Sequence, residues 1–191
     1  MDKTPLPSSW CEIDLKRISR NLELTLALLP RGTDFCAVAK ADAYGHGIAR
    51  VVPLLMEQGV GHIGITSNAE AHAVRNAGFA GNLIRLRAAT PQEIKDALGD
   101  RIEEQAGSLW AAKQLLPLIN SGRMRAGVHL ALNADGMSRD GLEISTQAGQ
   151  QECMEILDAL GSHIVGICPR RLGKTRSCYN SRSDGFATIV T

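Results

Sequence analysis

The sequence predicts an α/β protein built around a parallel β-sheet. Between residues 34 and 168, short apolar segments bounded by glycine alternate with segments whose apolar residues recur at helical spacing. Strands that are apolar throughout are typical of parallel sheets covered on both faces, and regular strand–helix alternation is the pattern of such sheets. The six predicted strands are centred on Phe35, Ile63, Leu83, Ile102, Val128 and Val165.

This alternation fits two architectures, an open doubly wound sheet and a barrel. No GxGxxG segment follows the first strand, which argues against a dinucleotide-binding sheet. A closed (β/α)8 barrel needs eight strands, two more than the six predicted here. As a barrel, the chain is therefore an incomplete TIM-like one of about six βα units.

Caps delimit the helices of the first half. A short strand is predicted at 10–14, and Asp14 can then cap a leucine-rich helix. A second helix is predicted to begin near Gly47, shortly after the first strand of the alternation. Ser67 and Glu70 have the spacing of a capping box, which places the start of a third helix there.

The second half repeats these signals. Thr90, Pro91 and Glu93 supply an N-cap, a proline at the first helical position and a capping acid. A polar and weakly patterned strand is predicted at 101–105. Ser108 then caps the next helix, so that strands and helices continue to alternate.

The alternation stops at residue 168, where the charge also changes sign. Residues 169–191 hold five basic residues and one acidic residue, whereas residues 1–168 hold 16 basic and 19 acidic residues. The stretch has no helical or strand pattern except at 186–190, which could form a strand. We therefore predict a folded barrel portion at 10–168 and an aberrant or disordered basic tail at 169–191.

Composition and charge narrow the function classes. The net charge of +1 indicates neither a nucleic-acid-binding nor a membrane-associated protein. Five cysteines without CxxC spacing argue against a zinc site or a disulfide framework, so no metal site is expected. No apolar stretch is long enough to span a bilayer or to resemble a signal peptide. A cytoplasmic protein is therefore expected, or a periplasmic one if a signal peptide was removed.

Residues 37–47 are the stretch richest in chemical groups. Lys40 follows an apolar strand directly, and barrel active sites lie at the C-terminal ends of strands. An amine in such a place can act as a nucleophile; the alternative is a strand-end lysine whose ammonium simply reaches water. Arg139 follows the fifth strand and can face the same cavity, where its guanidinium can pair with a carboxylate or a phenolate.

The stretch 37–47 closely resembles the pyridoxal-phosphate lysine segment of the alanine racemase family, including the Tyr-Gly-His-Gly sequence after the lysine. A second anchor of the resemblance contains Met137 and Arg139. The resemblance implies that Lys40 carries the cofactor as a Schiff base and is one of two acid/base groups. It also implies that Tyr44 contacts the cofactor phosphate and that Arg139 holds the phenolic oxygen. Arg139 and Met137 would bind the substrate, with Arg139 steering its carboxylate.

Other positions refine the resemblance. Ala131 stands where ordinary alanine racemases have a lysine that becomes carbamylated, and together with Asn133 it looks more like the broad-specificity amino-acid racemases of the family. The resemblance implies interconversion of L- and D-amino acids by a homodimer. The second acid of the family is a tyrosine from the C-terminal β-domain of the partner subunit. Only Tyr44 and Tyr179 occur here, so we expect a fragment that lacks this domain and has little activity.

Two other functions use the same lysine chemistry. One is a non-catalytic carrier of pyridoxal phosphate built from a single barrel. The other is a class I aldolase, although in those enzymes the lysine usually ends a later strand than Lys40 does. The racemase family fits the surrounding residues best, and the carrier is the alternative.

Overall fold

The residues described by this computed structural model, 9–133, 141–170 and 187–190, form seven parallel strands in one sheet. Their order across the sheet is β6-β5-β4-β3-β2-β1-β7. Strands one to six are the six predicted from the sequence, so the parallel α/β architecture is confirmed. The strands are β1 (Asp34–Val38), β2 (His62–Ile65), β3 (Asn82–Arg85), β4 (Ile102–Ala106), β5 (Val128–Asn133), β6 (Ile164–Arg170) and β7 (Ala187–Val190).

A helix lies in every connection from β1 to β6, and another precedes β1. This is the arrangement of an incomplete (β/α)8 barrel with six successive parallel strands, as predicted. Among the described residues, no helix is both long enough and apolar enough to cross a membrane. The helices are α1 (Leu15–Ala27), α2 (Lys40–Tyr44), α3 (Ile48–Glu57), α4 (Asn68–Asn76), α5 (Pro91–Asp96), α6 (Leu109–Asn120) and α7 (Gln147–Leu160).

The predicted helix caps are confirmed. The Asp14 carboxylate accepts two backbone N–H bonds at the start of α1. Ser67 and Thr90 open α4 and α5 with complete capping boxes, and the Ser108 hydroxyl caps α6. Each cap satisfies N–H groups that have no partner inside their own helix, which explains why such local signals fix helix starts well.

The strand predicted at 10–14 is wrong. Residues 9–14 form neither helix nor strand, and Asp14 serves as the N-cap of α1. An alternating apolar pattern is insufficient by itself, because a strand needs a neighbour for its N–H and C=O groups. Both sides of β1 are occupied, by β2 and β7, so that strand offers 10–14 no free edge.

The boundary predicted at residue 168 also differs from the structure. β6 continues to Arg170 because β5 extends to Asn133, and the last two residues of these strands pair in register. Ala187–Val190 form β7, which pairs with β1 and covers an edge that would otherwise lie open. The other residues of the predicted tail, 171–186 and 191, lie outside the described residues.

Two apolar clusters hold the helices against the sheet. The first joins α1, α3 and α4 to β1–β3, and the second joins α6 and α7 to β5. Burial of each large aliphatic side chain contributes about 1.5–3 kcal/mol, so these clusters are the main source of stability. The fully buried members include Val52, Ile63, Val74 and Leu83 in the first cluster, and Ala112, Val128 and Ile156 in the second.

A buried ion pair joins β3 to β4 on the same face of the sheet. Arg85 is completely buried and Glu104 is 2% exposed. The Arg85 guanidinium donates Nε to Glu104 Oε2 at 2.8 Å and Nη2 to Oε1 at 3.1 Å, and Nη2 also donates to Asn68 Oδ1 at 2.8 Å. Because both charges are out of water, the loss of either partner leaves an uncompensated buried charge.

We therefore expect Arg85→Met to lower the free energy of unfolding by about 3–5 kcal/mol, as measured by urea titration. The double variant Arg85→Met/Glu104→Leu should recover much of this loss, because it removes both charges. The control is Arg17→Met, which breaks a pair with Asp14 whose side chains are 86% and 51% exposed, and which should leave the unfolding midpoint nearly unchanged. A loss for Arg85→Met no larger than the control's would contradict the assigned importance of the buried pair.

Candidate active site

Lys40 and Tyr44 lie together at the C-terminal end of β1. Lys40 is partly exposed and is the first residue of α2. Its Nζ lies 5.4 Å from the centroid of the Tyr44 ring, which is the geometry of a cation over an aromatic face. No carboxylate of the described residues pairs with this ammonium. The amine is therefore accessible and is not held in an ion pair there.

The segment α2 is a left-handed turn, which sequence reasoning did not predict. Ala41, Asp42, Ala43 and Tyr44 have φ angles of 51°, 54°, 54° and 54°. The left-handed region costs a residue with a Cβ roughly 1–2 kcal/mol, and such residues normally occur singly. Four in succession persist only where surrounding bonds hold them, so this turn is a strained feature next to Lys40.

Two glycines close the turn. Gly45 has φ 80° and donates its N–H to Ala41 O at 3.0 Å, and Gly47 has φ 90° and donates to Asp42 O at 2.9 Å. Residues with side chains rarely adopt such φ angles, so both positions favour glycine. The Asp42 carboxylate also accepts the N–H of Ile48 at 2.7 Å, which joins the turn to the start of α3.

A carboxylate from α4 holds the other end of the turn. Glu70 Oε1 accepts the N–H of Ala41 at 2.8 Å. Its Oε2 accepts the N–H groups of Thr66 at 2.7 Å and Ser67 at 3.1 Å. Burial alone would raise the pKa of Glu70, but hydrogen bonds from Thr66, Ala41 and Ser67 outweigh it and hold the pKa below its usual value. Glu70 is therefore ionised at neutral pH. From the sequence, Glu70 had only a capping role.

The loops after β2 and β3 are tied together beside this turn. Arg87 donates Nε to Thr66 O at 2.6 Å, and its guanidinium forms an ion pair with Glu93. The hydrogen bond from Arg87, followed by one from the Thr90 backbone, lowers the pKa of Glu93 to about 2. Because Thr66 also bonds Glu70, the ends of β1, β2 and β3 form one connected rim.

Polar side chains lie on the face of β4 and β5 opposite the apolar clusters. His129 Nε2 is 2.7 Å from Glu103 Oε2, and Gln105 pairs in register with His129. His129 Nδ1, Gln105 Oε1 and Asn133 Oδ1 are buried and have no hydrogen-bond partner among the described residues. Ala131 is buried on the same face. Nowhere in the described ranges do three His, Cys, Asp or Glu residues converge as a metal site.

The two remaining site residues of the sequence analysis, Met137 and Arg139, lie outside the described residues, and their roles stay predictions. The residues on either side of them are fixed at the end of β5. Asn133 donates its N–H to Leu142 O at 2.8 Å, and Leu142 donates to Ala131 O at 2.9 Å. The described residues that flank this segment therefore lie at the C-terminal end of β5, as Lys40 lies at the C-terminal end of the parallel strand β1.

Comparison with known proteins identifies the relationship. Residues 13–168 match the family described as alanine racemase, N-terminal domain. The chain belongs to the alanine racemase family. This confirms the resemblance on which the sequence analysis relied, and it agrees with the incomplete barrel of the structure.

Two curated racemases and one solved structure show which proteins of the family the chain is similar to. A broad specificity amino-acid racemase of Vibrio parahaemolyticus is 42% identical over 160 residues, which cover 84% of this chain and 39% of that protein. A lysine racemase of Proteus mirabilis is 39% identical over 160 residues, with the same coverage. The solved alanine racemase of Clostridium difficile in complex with cycloserine superposes with a TM-score of 0.76 at 26% identity, covering 84% of this chain and 44% of that chain. The chain thus spans 39% of the length of these two curated racemases.

The low pKa of Glu93 predicts a pH-dependent contribution to stability. A carboxyl whose pKa falls from 4.5 to about 2 on folding stabilises the protein above pH 4.5 and loses that contribution as the pH falls toward 2. We expect wild type to exceed Glu93→Gln in free energy of unfolding at pH 7 by about 1 kcal/mol, since solvent screens the partly exposed pair. The gap should close between pH 4.5 and 2, as measured by urea titration. A gap that persists at pH 2 would contradict the Arg87 pairing.

Proposed function

We propose that residues 10–168 are the cofactor-binding part of the barrel of a pyridoxal-phosphate-dependent amino-acid racemase, with Lys40 as the cofactor lysine. The observation that carries the proposal is the position of Lys40. Its amine is accessible, stands at the C-terminal end of β1 beside Tyr44, and belongs to a braced left-handed turn in a chain of the alanine racemase family.

The residues present fit such a cofactor. Its aldehyde needs a primary amine free of a competing carboxylate, and Lys40 meets this requirement among the described residues. Its phosphate needs hydrogen-bond donors, and the half-exposed Tyr44 phenol stands on the same turn. The unpartnered polar atoms of Gln105, His129 and Asn133 add hydrogen-bonding capacity on the opposite face to the apolar core.

The cofactor and the side chains of the protein would contribute different parts of the chemistry. Bound pyridoxal phosphate supplies an electron sink for the carbanion that remains when the α-proton of an amino acid is removed. The Lys40 amine would hold the cofactor, and the same amine would take or return the proton at Cα of the substrate. The Tyr44 hydroxyl can donate a hydrogen bond to a phosphate oxygen. Arg139 is proposed to pair with the phenolic oxygen and, with Met137 beside it, to orient the substrate carboxylate.

Substrates are proposed to be free amino acids of more than one kind. Two observations support breadth: the small side chain of Ala131 on the polar face, and the relatives named broad specificity and lysine racemases. Racemisation needs a proton-transfer group on each face of the substrate, and Lys40 can serve only one face.

Absorbance spectroscopy with added pyridoxal phosphate tests the site. We expect wild type to develop the imine absorption band, distinct from that of the free aldehyde, because Lys40 presents a free amine. Lys40→Ala should lack this band while retaining the wild-type circular dichroism spectrum. The matched control is Lys113→Ala, at an exposed residue of α6, which should keep the band. Absence of the band in wild type, or its survival in Lys40→Ala, would contradict the proposal.

Exchange of the α-proton distinguishes the barrel of a racemase from a protein that only carries the cofactor. An amino acid incubated in deuterium oxide with protein and cofactor should incorporate deuterium at Cα in one of its two enantiomers, because Lys40 can move the proton on one face of the substrate. Mass spectrometry of the separate L- and D-enantiomers of alanine and lysine should show exchange of one enantiomer above the level of cofactor alone, and Lys40→Ala should abolish the excess. Imine formation without such exchange would favour the carrier function.

A further inference from the structure

We infer that Glu70 is a positioning residue for Lys40. Its carboxylate clamps the left-handed turn to the loop after β2, and thereby sets where the Lys40 amine and the Tyr44 phenol lie. The inference rests on the proposed role of Lys40 and extends the site to a residue that does not touch the cofactor. Nothing in the sequence pattern around Glu70 distinguishes it from an ordinary helix-capping glutamate.

The main-chain bonds on either side of Lys40 show how the clamp works. Ala39 donates its N–H to Gly64 O at 2.8 Å and extends the β1–β2 pairing by one residue. Ala41 donates its N–H to Glu70 Oε1 at 2.8 Å. The backbone of Lys40 is therefore fixed on both sides, first to β2 and then to α4. The direction in which its side chain leaves the sheet follows from these two bonds.

The strain of the turn makes the second bond important. The glycine bonds and the Asp42 bond connect the turn to itself and to α3, which follows it directly in sequence. Among the described residues, only the Glu70 carboxylate joins the turn's own N–H groups to a distant part of the chain, 29 residues away. Without it, relaxation of the left-handed residues would move Lys40 and Tyr44 together.

Helix capping alone does not account for this geometry. A glutamate at the third helical position of a capping box normally returns its carboxylate to the N-cap N–H. Glu70 makes that bond to Ser67, and its two oxygens also receive the N–H groups of Ala41 and Thr66 and the Thr66 hydroxyl. The capping box at Thr90 shows the contrast, because the carboxylate of Glu93 faces Arg87 instead of another backbone segment.

The donor arrangement requires a carboxylate of glutamate length. Four donors converge on two oxygens, whereas a glutamine amide offers one acceptor oxygen and an NH2 group that would point at an N–H. Because three of the four donors lie at Oε2, the acceptor oxygen of Glu70→Gln should stay on that side, and its NH2 group should face the Ala41 N–H and lose that bond. Glu70→Asp keeps the negative charge at the N-terminus of α4, but its side chain is one methylene shorter. It should therefore retain the helix cap and lose the hydrogen bond from the Ala41 N–H.

Ser67→Ala is the matched control. It removes the other half of the same capping box, the bond from Glu70 N–H to Ser67 Oγ at 3.2 Å, and leaves the Glu70–Ala41 bond in place. If Glu70 acts only by stabilising α4, Ser67→Ala should reproduce the effect of Glu70→Asp. If Glu70 positions Lys40, the two variants should differ at residues 40–44.

Two measurements on the full chain decide between these outcomes. In cofactor-free protein, amide hydrogen exchange at 40–44 should speed up by about tenfold or more in Glu70→Asp and Glu70→Gln, and not in Ser67→Ala. The apparent Kd for pyridoxal phosphate, followed by the imine band, should rise by about tenfold in both Glu70 variants and stay within about twofold in Ser67→Ala.

Equal exchange at 40–44 in Glu70→Asp and Ser67→Ala would overturn the inference. If the wild type forms no imine, the proposed function fails, but the exchange comparison still decides whether Glu70 braces the turn. If Glu70→Gln does not fold, Glu70→Asp carries the test, because it preserves the charge and the cap. A rise in Kd without faster exchange would also contradict positioning through the turn.

Discussion

The left-handed turn after β1 is the constraint on which the site depends. Four successive residues with side chains hold φ angles between 51° and 54°, a conformation that costs each of them free energy. Gly45 and Gly47 close the turn, Asp42 joins it to α3 and Glu70 joins it to α4. A strand could have ended in an ordinary loop here. The braced turn instead gives Lys40 a defined backbone at the point where a barrel can expose a reactive group.

The parallel direction of the strands explains why the polar groups lie close together. Because all strands run the same way, their C-terminal ends meet at one edge of the sheet, and the sequence places Lys40, Thr66, Arg87 and Asn133 at or just beyond those ends. Hydrogen bonds then connect neighbouring ends, from Ala41 through Glu70 to Thr66 and on to Arg87. The apolar clusters lie on the helix-covered side of the sheet, and the first of them reaches the site through Ala39 and Ala43, which lie on either side of Lys40 in the sequence.

Local signals in the sequence predict most of the fold. Strand–helix alternation and the caps at Asp14, Ser67 and Thr90 depend on neighbouring residues only, and the structure confirms them. The errors concern pairing at a distance. The pattern at 10–14 indicates a strand but cannot show that β1 already has neighbours on both sides, and the place of β7 beside β1 depends on tertiary pairing.

The site was predictable only in part, because local signals in the sequence do not show contacts between distant residues. The position of Lys40 at a strand end follows from the apolar run before it, whereas Tyr44 was identified only through the family resemblance. The left-handed turn is not predictable by propensity, since Ala and Tyr disfavour that conformation and Asp adopts it normally as a single residue. The bond from Ala41 to Glu70 spans 29 residues and leaves no periodic trace in the sequence. The cofactor was predicted from the family resemblance, because residue spacing alone does not identify it.

Reductive trapping tests the role of Lys40 most directly. The chain contains six lysines, and borohydride in the presence of pyridoxal phosphate fixes the cofactor on whichever amine has formed an imine. At one equivalent of cofactor, we predict a single pyridoxyl label on Lys40. Because trypsin does not cleave after the modified lysine, the label should appear in the uncut peptide 32–50. A label on another lysine, or one spread evenly over all six, would contradict Lys40 as the cofactor lysine.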